Sequence, residues 1–211
     1  MAKQARAHAT RESIIQAAGV VFSGKTYAQA TLGDVLSEAG VTQGALYFHF
    51  DSKKALALEV IGRQHHLFLD AAKALLDANT RGLPAMIVLS KELAKQITTN
   101  PLVRGGLRLS TESADVFAET ASKPYEDWIE TCEELIRRAV AEGDIAAMQD
   151  PGRLASFVIA SFTGVQALSQ ARTQWADLVD RLEEMWGFIL GGISSAGKRA
   201  ETPDISNLLR G

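Results

Sequence analysis

Cysteine is nearly absent. Cys132 stands alone among 211 residues, so no disulfide forms within the chain and a disulfide-stapled fold is excluded. Of the four histidines only His65 and His66 are neighbours, so no metal-ligand spacing stands out and no metal is expected. No run of about 18 apolar residues is evident, so no membrane span is expected. The opening residues are polar and lack the apolar stretch of a secretory signal. These features together point to a reducing cytoplasm. The chain also lacks a Gly-rich phosphate loop, a Gly-x-Ser-x-Gly elbow and a His-Glu-x-x-His helix. Adjacent acids such as Glu133 with Glu134, or Glu183 with Glu184, diverge by about 100° on a helix and read as solvated faces. No catalytic residue and no cofactor is expected. What is there, 46% hydrophobic and 22% charged residues, fits one large or two small globular domains.

The net charge of -3 hides an asymmetry. Residues 1–54 carry +2, from Lys3, Arg6, Arg11, Lys25, Lys53 and Lys54 against Glu12, Asp34, Glu38 and Asp51; the remainder carries -5. A mildly basic beginning on an acidic body suggests that the first part meets an anion.

Apolar spacing reads as helix nearly throughout. Ile14, Ile15, Ala18, Val21 and Phe22 define a first helix, with Thr10 as its expected N-cap and Gly24 as its stop. Thr31 precedes Leu32, Val35, Leu36 and Ala39, and Gly40 breaks that helix. Thr42 caps a third, short helix. Asp51 and Ser52 lead into a long fourth one. Pro84, Pro101, Pro124 and Pro151 are each expected to open a later helix at its first position. Leu178, Leu182, Met185, Trp186, Ile189 and Ile193 mark the last, and beyond Gly197 a loose polar tail is expected. No strand-like alternation and no repeat is present. The expected fold is all-α with about nine helices: a three-helix unit over 1–52, a larger helical body over 53–197, and a tail over 198–211.

Residues Thr31 to Phe50 form a helix, a glycine-containing turn and a second helix, which is the helix-turn-helix plan. On the second helix Ala45, Leu46 and Phe48 are expected to look inward, leaving Thr42, Gln43, Gly44, Tyr47 and His49 outside. Thr42 and Gln43 suit base edges or phosphates, and Tyr47 and His49 suit phosphate oxygens. Lys53 can reach the duplex backbone, and Lys3, Arg6 and Arg11 make a flexible basic arm. Thr31 and Ala45 complete the candidate DNA-binding set. The competing reading is a stable three-helix cap with a polar exposed face.

The string Gly-Val-Thr-Gln-Gly-Ala-Leu-Tyr-Phe-His-Phe-Asp-Ser-Lys (residues 40–53) resembles the signature of the TetR family of bacterial transcriptional repressors, and the resemblance covers roughly residues 8–60. Asn100–Leu109 and Tyr125–Trp128 are similar to segments of the γ-butyrolactone receptor branch of that family. The resemblance implies a ligand-binding and dimerisation domain after the first unit, a pocket lined by Trp128, and a homodimer formed by the last two long helices. One departure stands out: the branch usually has lysine where this chain has Gln43, which removes a phosphate or guanine contact.

A regulatory pocket in a helical body is mostly apolar with a few placed polar groups. Trp128 offers an indole N–H and Thr163 a hydroxyl, and Gln64 interrupts the stripe between Val60 and Phe68. Leu89, Leu107, Leu109, Phe162 and Val165 are expected to supply the apolar wall, with Phe68 and Cys132 beside the polar groups. Each has a plainer alternative: Trp128 as core, Thr163 bonded to its own helix, Gln64 exposed, Cys132 as a small buried hydrophobe. Ser156, Ala160, Gly164 and Ala167 make a stripe of small residues, and Met185, Trp186, Ile189 and Ile193 a broad apolar face. The first suits close approach of another helix; the second is either a subunit interface or internal core.

The expected function is a ligand-released repressor. A homodimer would bind a pseudo-palindromic DNA operator in the bacterial cytoplasm, at the nucleoid when DNA-bound, and a small γ-butyrolactone-type signal would release it. The alternative within the same fold senses an antibiotic, a furan or a butenolide. A helical adaptor that binds only protein is the rival from another class.

Overall fold

The structure, a computed structural model, describes residues 2–112, 116–147, 150–193 and 203–210, with side chains described for these except residues 2, 3, 112 and 118–121. These residues form ten helices: α1 (Ala2–Gly24), α2 (Leu32–Ala39), α3 (Gln43–His49), α4 (Lys53–Asp77), α5 (Gly82–Thr99), α6 (Pro101–Glu112), α7 (Ala118–Ala141), α8 (Pro151–Thr173), α9 (Leu178–Ile193) and α10 (Ile205–Arg210). The fold is all-α. Two compact units divide it, Met1–Phe68 with Thr99–Ser122 and Leu69–Thr98 with Lys123–Gly211.

In the first unit, side chains from α1 to α4 and from α6 share one core that includes Ile14, Ile15, Phe22, Val35, Leu46, Phe50, Leu56 and Val60. The short helices are fixed by their caps. Thr31 accepts a hydrogen bond from the Asp34 N–H at 3.1 Å and donates its own N–H to the Asp34 carboxylate at 2.9 Å, a reciprocal capping box. Gly40 ends α2 at φ 63°, a left-handed conformation that suits glycine. Thr42 caps α3 by accepting from the Ala45 N–H at 3.3 Å. Where α6 crosses α1 the two backbones meet. A Cβ on Gly19 would lie 2.6 Å from the Leu102 Cα, and one on Gly105 would lie 2.6 Å from the Gly19 carbonyl oxygen. A Cβ on Gly106 would lie 2.6 Å from the Gln64 Cβ, so α6 packs against α4 as well.

In the second unit, a Cβ on Gly82 would lie 2.5 Å from the Ala139 backbone nitrogen, so α5 and α7 also meet at backbone distance. The Gly82 N–H donates to Glu142 at 2.9 Å there. Trp186 of α9 is buried and donates its indole N–H to the Ser90 hydroxyl of α5 at 2.9 Å. The turn after α8 holds Gln174 and Trp175 at φ 52° and 66°. Asp177 stabilises it by accepting from Arg181 at 2.7 Å and from Ser169 and Thr173 at 2.6 Å each. These bonds hold its carboxyl well below the usual range.

Several expectations change. Thr10 is no N-cap: α1 begins eight residues earlier, and the Thr10 hydroxyl donates to the Arg6 carbonyl at 3.0 Å. The intervening Ala, Lys, Gln and Arg are good helix formers and carry the helix upstream. The basic residues expected on a flexible arm therefore lie on a helix. Pro124 does not open α7 but sits inside it, at the cost of one backbone hydrogen bond. Pro84 is the third residue of α5, while Pro101 and Pro151 do begin their helices. Residues 205–210, expected in a loose tail, form α10. Leu209 is buried, and Arg210 pairs with Asp180 and with Glu183 on α9. Among the described residues α8 is long and apolar enough, by length and composition, to cross a membrane. No uninterrupted run of about 18 apolar residues occurs in it: Ser, Thr and Gln are scattered among the Val, Phe, Ile and Ala of 151–173.

Candidate nucleic-acid interface and regulatory unit

α3 is a two-faced helix. Leu46 is buried in the first unit's core, and so is Phe50, which caps the helix. Gln43 and Gly44 are exposed, Tyr47 is 48% exposed, and Ala45 and His49 are half-buried. Thr42, Gln43, Gly44 and Tyr47 thus share one open surface. Phe48 joins them: it is 78% exposed, which corrects its assignment to the core. At about 100° per residue, position 48 lies about 200° from position 46, so the two cannot both face inward. The angular arithmetic was the signal that could have found it.

The basic groups divide. Lys53 turns inward and donates to the Tyr27 and Ala30 carbonyls at 2.8 and 3.0 Å, with its ammonium 4.4 Å from the Tyr27 ring centre. It pins the start of α4 to the loop before α2. Arg11 pairs with Glu59 at 2.8 Å and lies over the Phe50 ring at 5.2 Å, and Arg63 pairs with Glu59 at 3.0 Å. Burial pushes the Glu59 carboxyl up, and the hydrogen bonds from Arg11 and Arg63 more than reverse it, leaving it below the usual range. Arg11 is therefore a strut between α1 and α4. Thr31 is exposed, but its hydroxyl is the cap of α2. Lys25 pairs with Asp34 at 2.8 Å, and with the Thr31 N–H it holds that carboxyl down to about 2. Arg6 is exposed on α1, and the Lys3 side chain lies outside the described residues. Lys54 is exposed at the start of α4 and was overlooked beside Lys53.

The expected pocket residues fall into both units. In the first, Gln64 and Phe68 are buried at 2% exposure each, Leu107 is half-buried, and Leu109 is a core residue packed with Ile14 and Leu102. The α1–α6 crossing turns Leu102 and Leu109, seven residues apart, to the same interior. In the second unit Leu89 and Cys132 are buried. The Cys132 sulfur lies 3.8 Å from that of Met86, tying α7 to α5, and burial pushes the thiol up to about 12. Trp128 is half-buried with its Nε1 in the interior, and its ring meets Tyr125 edge-on at 5.0 Å. Phe162, Thr163 and Val165 are half-buried on α8. Thr163 donates its hydroxyl to the Ile159 carbonyl at 2.8 Å, a bond within its own helix. Gln166, on the inner side of α8 and 6% exposed, was missed; it is a polar group on an otherwise apolar stripe. A shallow groove of about 480 Å³ in this unit is lined instead by Leu69, Asp127, Glu130, Thr131, Glu134 and Arg137.

α8 and α9 expose a second surface. Phe157, Leu168 and Phe188 are 57%, 47% and 85% exposed. Ser156, Ala160, Gly164, Ala167, Gly187 and Gly191 are exposed around them, and a Cβ on any of those three glycines would meet nothing within 4 Å. Met185, Trp186, Ile189 and Ile193 are all buried within the subunit. Of the two readings open for this α9 stripe, interface or core, it is core, and the open face is the opposite one.

A capped helix-turn-helix whose second helix is locked on one side and open on the other, followed by a larger helical unit, defines the class of one-component helix-turn-helix regulators. Residues 14–60 match the family model described as bacterial regulatory proteins, tetR family, and residues 80–195 match the tetracyclin repressor-like C-terminal domain. The chain belongs to the TetR family. It is 35% identical over 199 residues to the A-factor receptor protein of Streptomyces griseus, across 93% of this chain and 68% of that one. Among solved structures it resembles CprB of Streptomyces coelicolor in complex with its biological operator sequence, with TM-score 0.82, 29% identity, and 98% and 99% of the two chains covered. It also resembles a gamma-butyrolactone receptor described as ArpA-like, with TM-score 0.79, 29% identity and 97% of each chain covered.

Proposed function

We propose that this protein is a cytoplasmic, homodimeric transcriptional repressor that binds a pseudo-palindromic DNA operator and is released by a small γ-butyrolactone-type molecule. The observation that carries the reading is the open face of α3, with Gln43, Gly44, Tyr47 and Phe48 on a helix whose other side is fixed in the core. Small or flat side chains there suit close entry into a major groove. Residues 1–52 read the duplex, with Thr42 and His49 beside that face and Arg6 and Lys54 toward phosphates. Two copies join through Phe157, Gly164, Leu168 and Phe188 of α8 and α9, which places one recognition helix on each half-site. That second subunit also accounts for the apolarity of α8.

The ligand class rests on similarity to the A-factor receptor and the ArpA-like receptor. Trp128 and Gln166 are the polar contacts, and Leu89 and Phe162 belong to the apolar wall. A ligand that prefers the DNA-free state by about 3 kcal/mol weakens operator binding roughly a hundredfold. The test is fluorescence anisotropy of a labelled duplex from the region upstream of the protein's own gene. Release by a γ-butyrolactone, lost in Trp128→Ala while DNA binding persists, supports the reading. Tight binding that only a furan, a butenolide or an antibiotic reverses moves the receptor to that class. Full release of Trp128→Ala refutes the pocket.

A further inference from the structure

Phe48 is the most open of the exposed large hydrophobic side chains in the first unit. It lies outside the first unit's core cluster, and its ring stands nearly perpendicular to that of the adjacent His49, at 5.0 Å and 83°. One turn earlier Gly44 carries no side chain, and a Cβ there would meet nothing within 4 Å. The ring therefore stands beside a gap in the helix surface, where α3 can come close to another molecule. The open ring offers apolar area whose burial against another molecule is favourable. On the base edges of a major groove, the apolar group available to cover it is the C5 methyl of thymine.

We propose that Phe48 is a specificity-determining residue that reads the C5 methyl of one thymine in each operator half-site. The inference rests on the operator-binding reading above and adds what the half-site must contain. Tyr47 reaches phosphate through its hydroxyl; Phe48 has no polar atom and can discriminate only by apolar contact. Burying one methyl is worth about fourfold in affinity, so losing it from both half-sites costs about sixteenfold.

The experiment selects the preferred duplex from random DNA with the full-length protein. Each half-site thymine is then replaced in turn by deoxyuridine, which removes only the methyl, and affinity is read by fluorescence anisotropy at fixed salt. One position is expected to lose about fourfold per half-site in the wild type. Phe48→Ala binds the thymine duplex more weakly and no longer distinguishes it from the uracil duplex, whereas Phe48→Leu keeps part of the discrimination. Because Phe48 is exposed, circular dichroism and Tm of both variants should match the wild type. A wild-type scan flat at every thymine, a half-site without thymine, or a Phe48→Ala protein that keeps the full penalty overturns the assignment and leaves operator binding standing. Failure to enrich any duplex overturns the operator-binding reading itself, and this inference with it.

Discussion

Gly44→Ala separates what α3 does for the fold from what it does for a partner. Within the chain the added methyl meets nothing within 4 Å, and residue 44 lies in a regular helix without positive φ. Replacing glycine by alanine in a helix is worth about 0.5–1 kcal/mol of stability. For a chain of this size that raises Tm by roughly 2–4 °C at most. On the operator the same methyl would project from the middle of the open face. Overpacking a tight contact costs about 1–3 kcal/mol; at two half-sites even the lower figure weakens binding about thirtyfold. Differential scanning fluorimetry and duplex anisotropy on one preparation read both effects. A variant with raised or unchanged Tm and affinity reduced at least thirtyfold fits the argument. Unchanged operator affinity would show that α3 does not come close to DNA at this point, and a fall in Tm would show that the space around Gly44 is filled.

Other consequences are as direct. Gly19→Ala drives a Cβ against the Leu102 backbone and should cost about 1–3 kcal/mol, read as a Tm drop of roughly 2–4 °C per kcal/mol; Gly62→Ala, where a Cβ meets open space, should cause no drop. Phe188→Glu places a charge on the open α9 face and should yield monomers at about 1 µM by sedimentation velocity with helicity unchanged; a persistent dimer would refute that face. The Asp34 carboxyl, held at about 2 in the folded chain against an ordinary 3.8 by Lys25 and Thr31, stabilises the fold above about pH 4, and the benefit disappears as pH falls through 2. Acid unfolding of wild type and Asp34→Asn should therefore converge toward pH 2, and a gap that stays constant over that range would contradict the assignment.

Local chemistry was readable from the sequence; the identity of a covering neighbour was not. Gly40 ends α2 and Thr42 caps α3 as expected, because caps depend on residues within one turn. The open surface of Thr42, Gln43, Gly44 and Tyr47 followed from the same short range. Lys53 and Arg11 read as free positive charges because their acceptors, the Tyr27 and Ala30 carbonyls and Glu59, lie 23 to 48 residues away in the chain. The α9 stripe of Met185, Trp186, Ile189 and Ile193 was recognisable as apolar, but periodicity does not say whether the same chain or another copy covers it. Ser90 decides that for Trp186. Helix starts were least legible: α1 and α7 begin well upstream of Thr10 and Pro124, since neither a threonine nor a proline in an otherwise helix-favouring run compels a break.

The central claim is that this chain binds duplex DNA through the α3 face with sequence preference. It is tested most directly by measuring operator affinity against a shuffled duplex across a salt series with the full-length protein. Log K should fall linearly with log salt, by several powers for the few phosphate contacts each subunit makes, and the operator should bind at least about a thousandfold tighter than the shuffled sequence. Equal affinity for the two duplexes, or binding indifferent to salt, would contradict it.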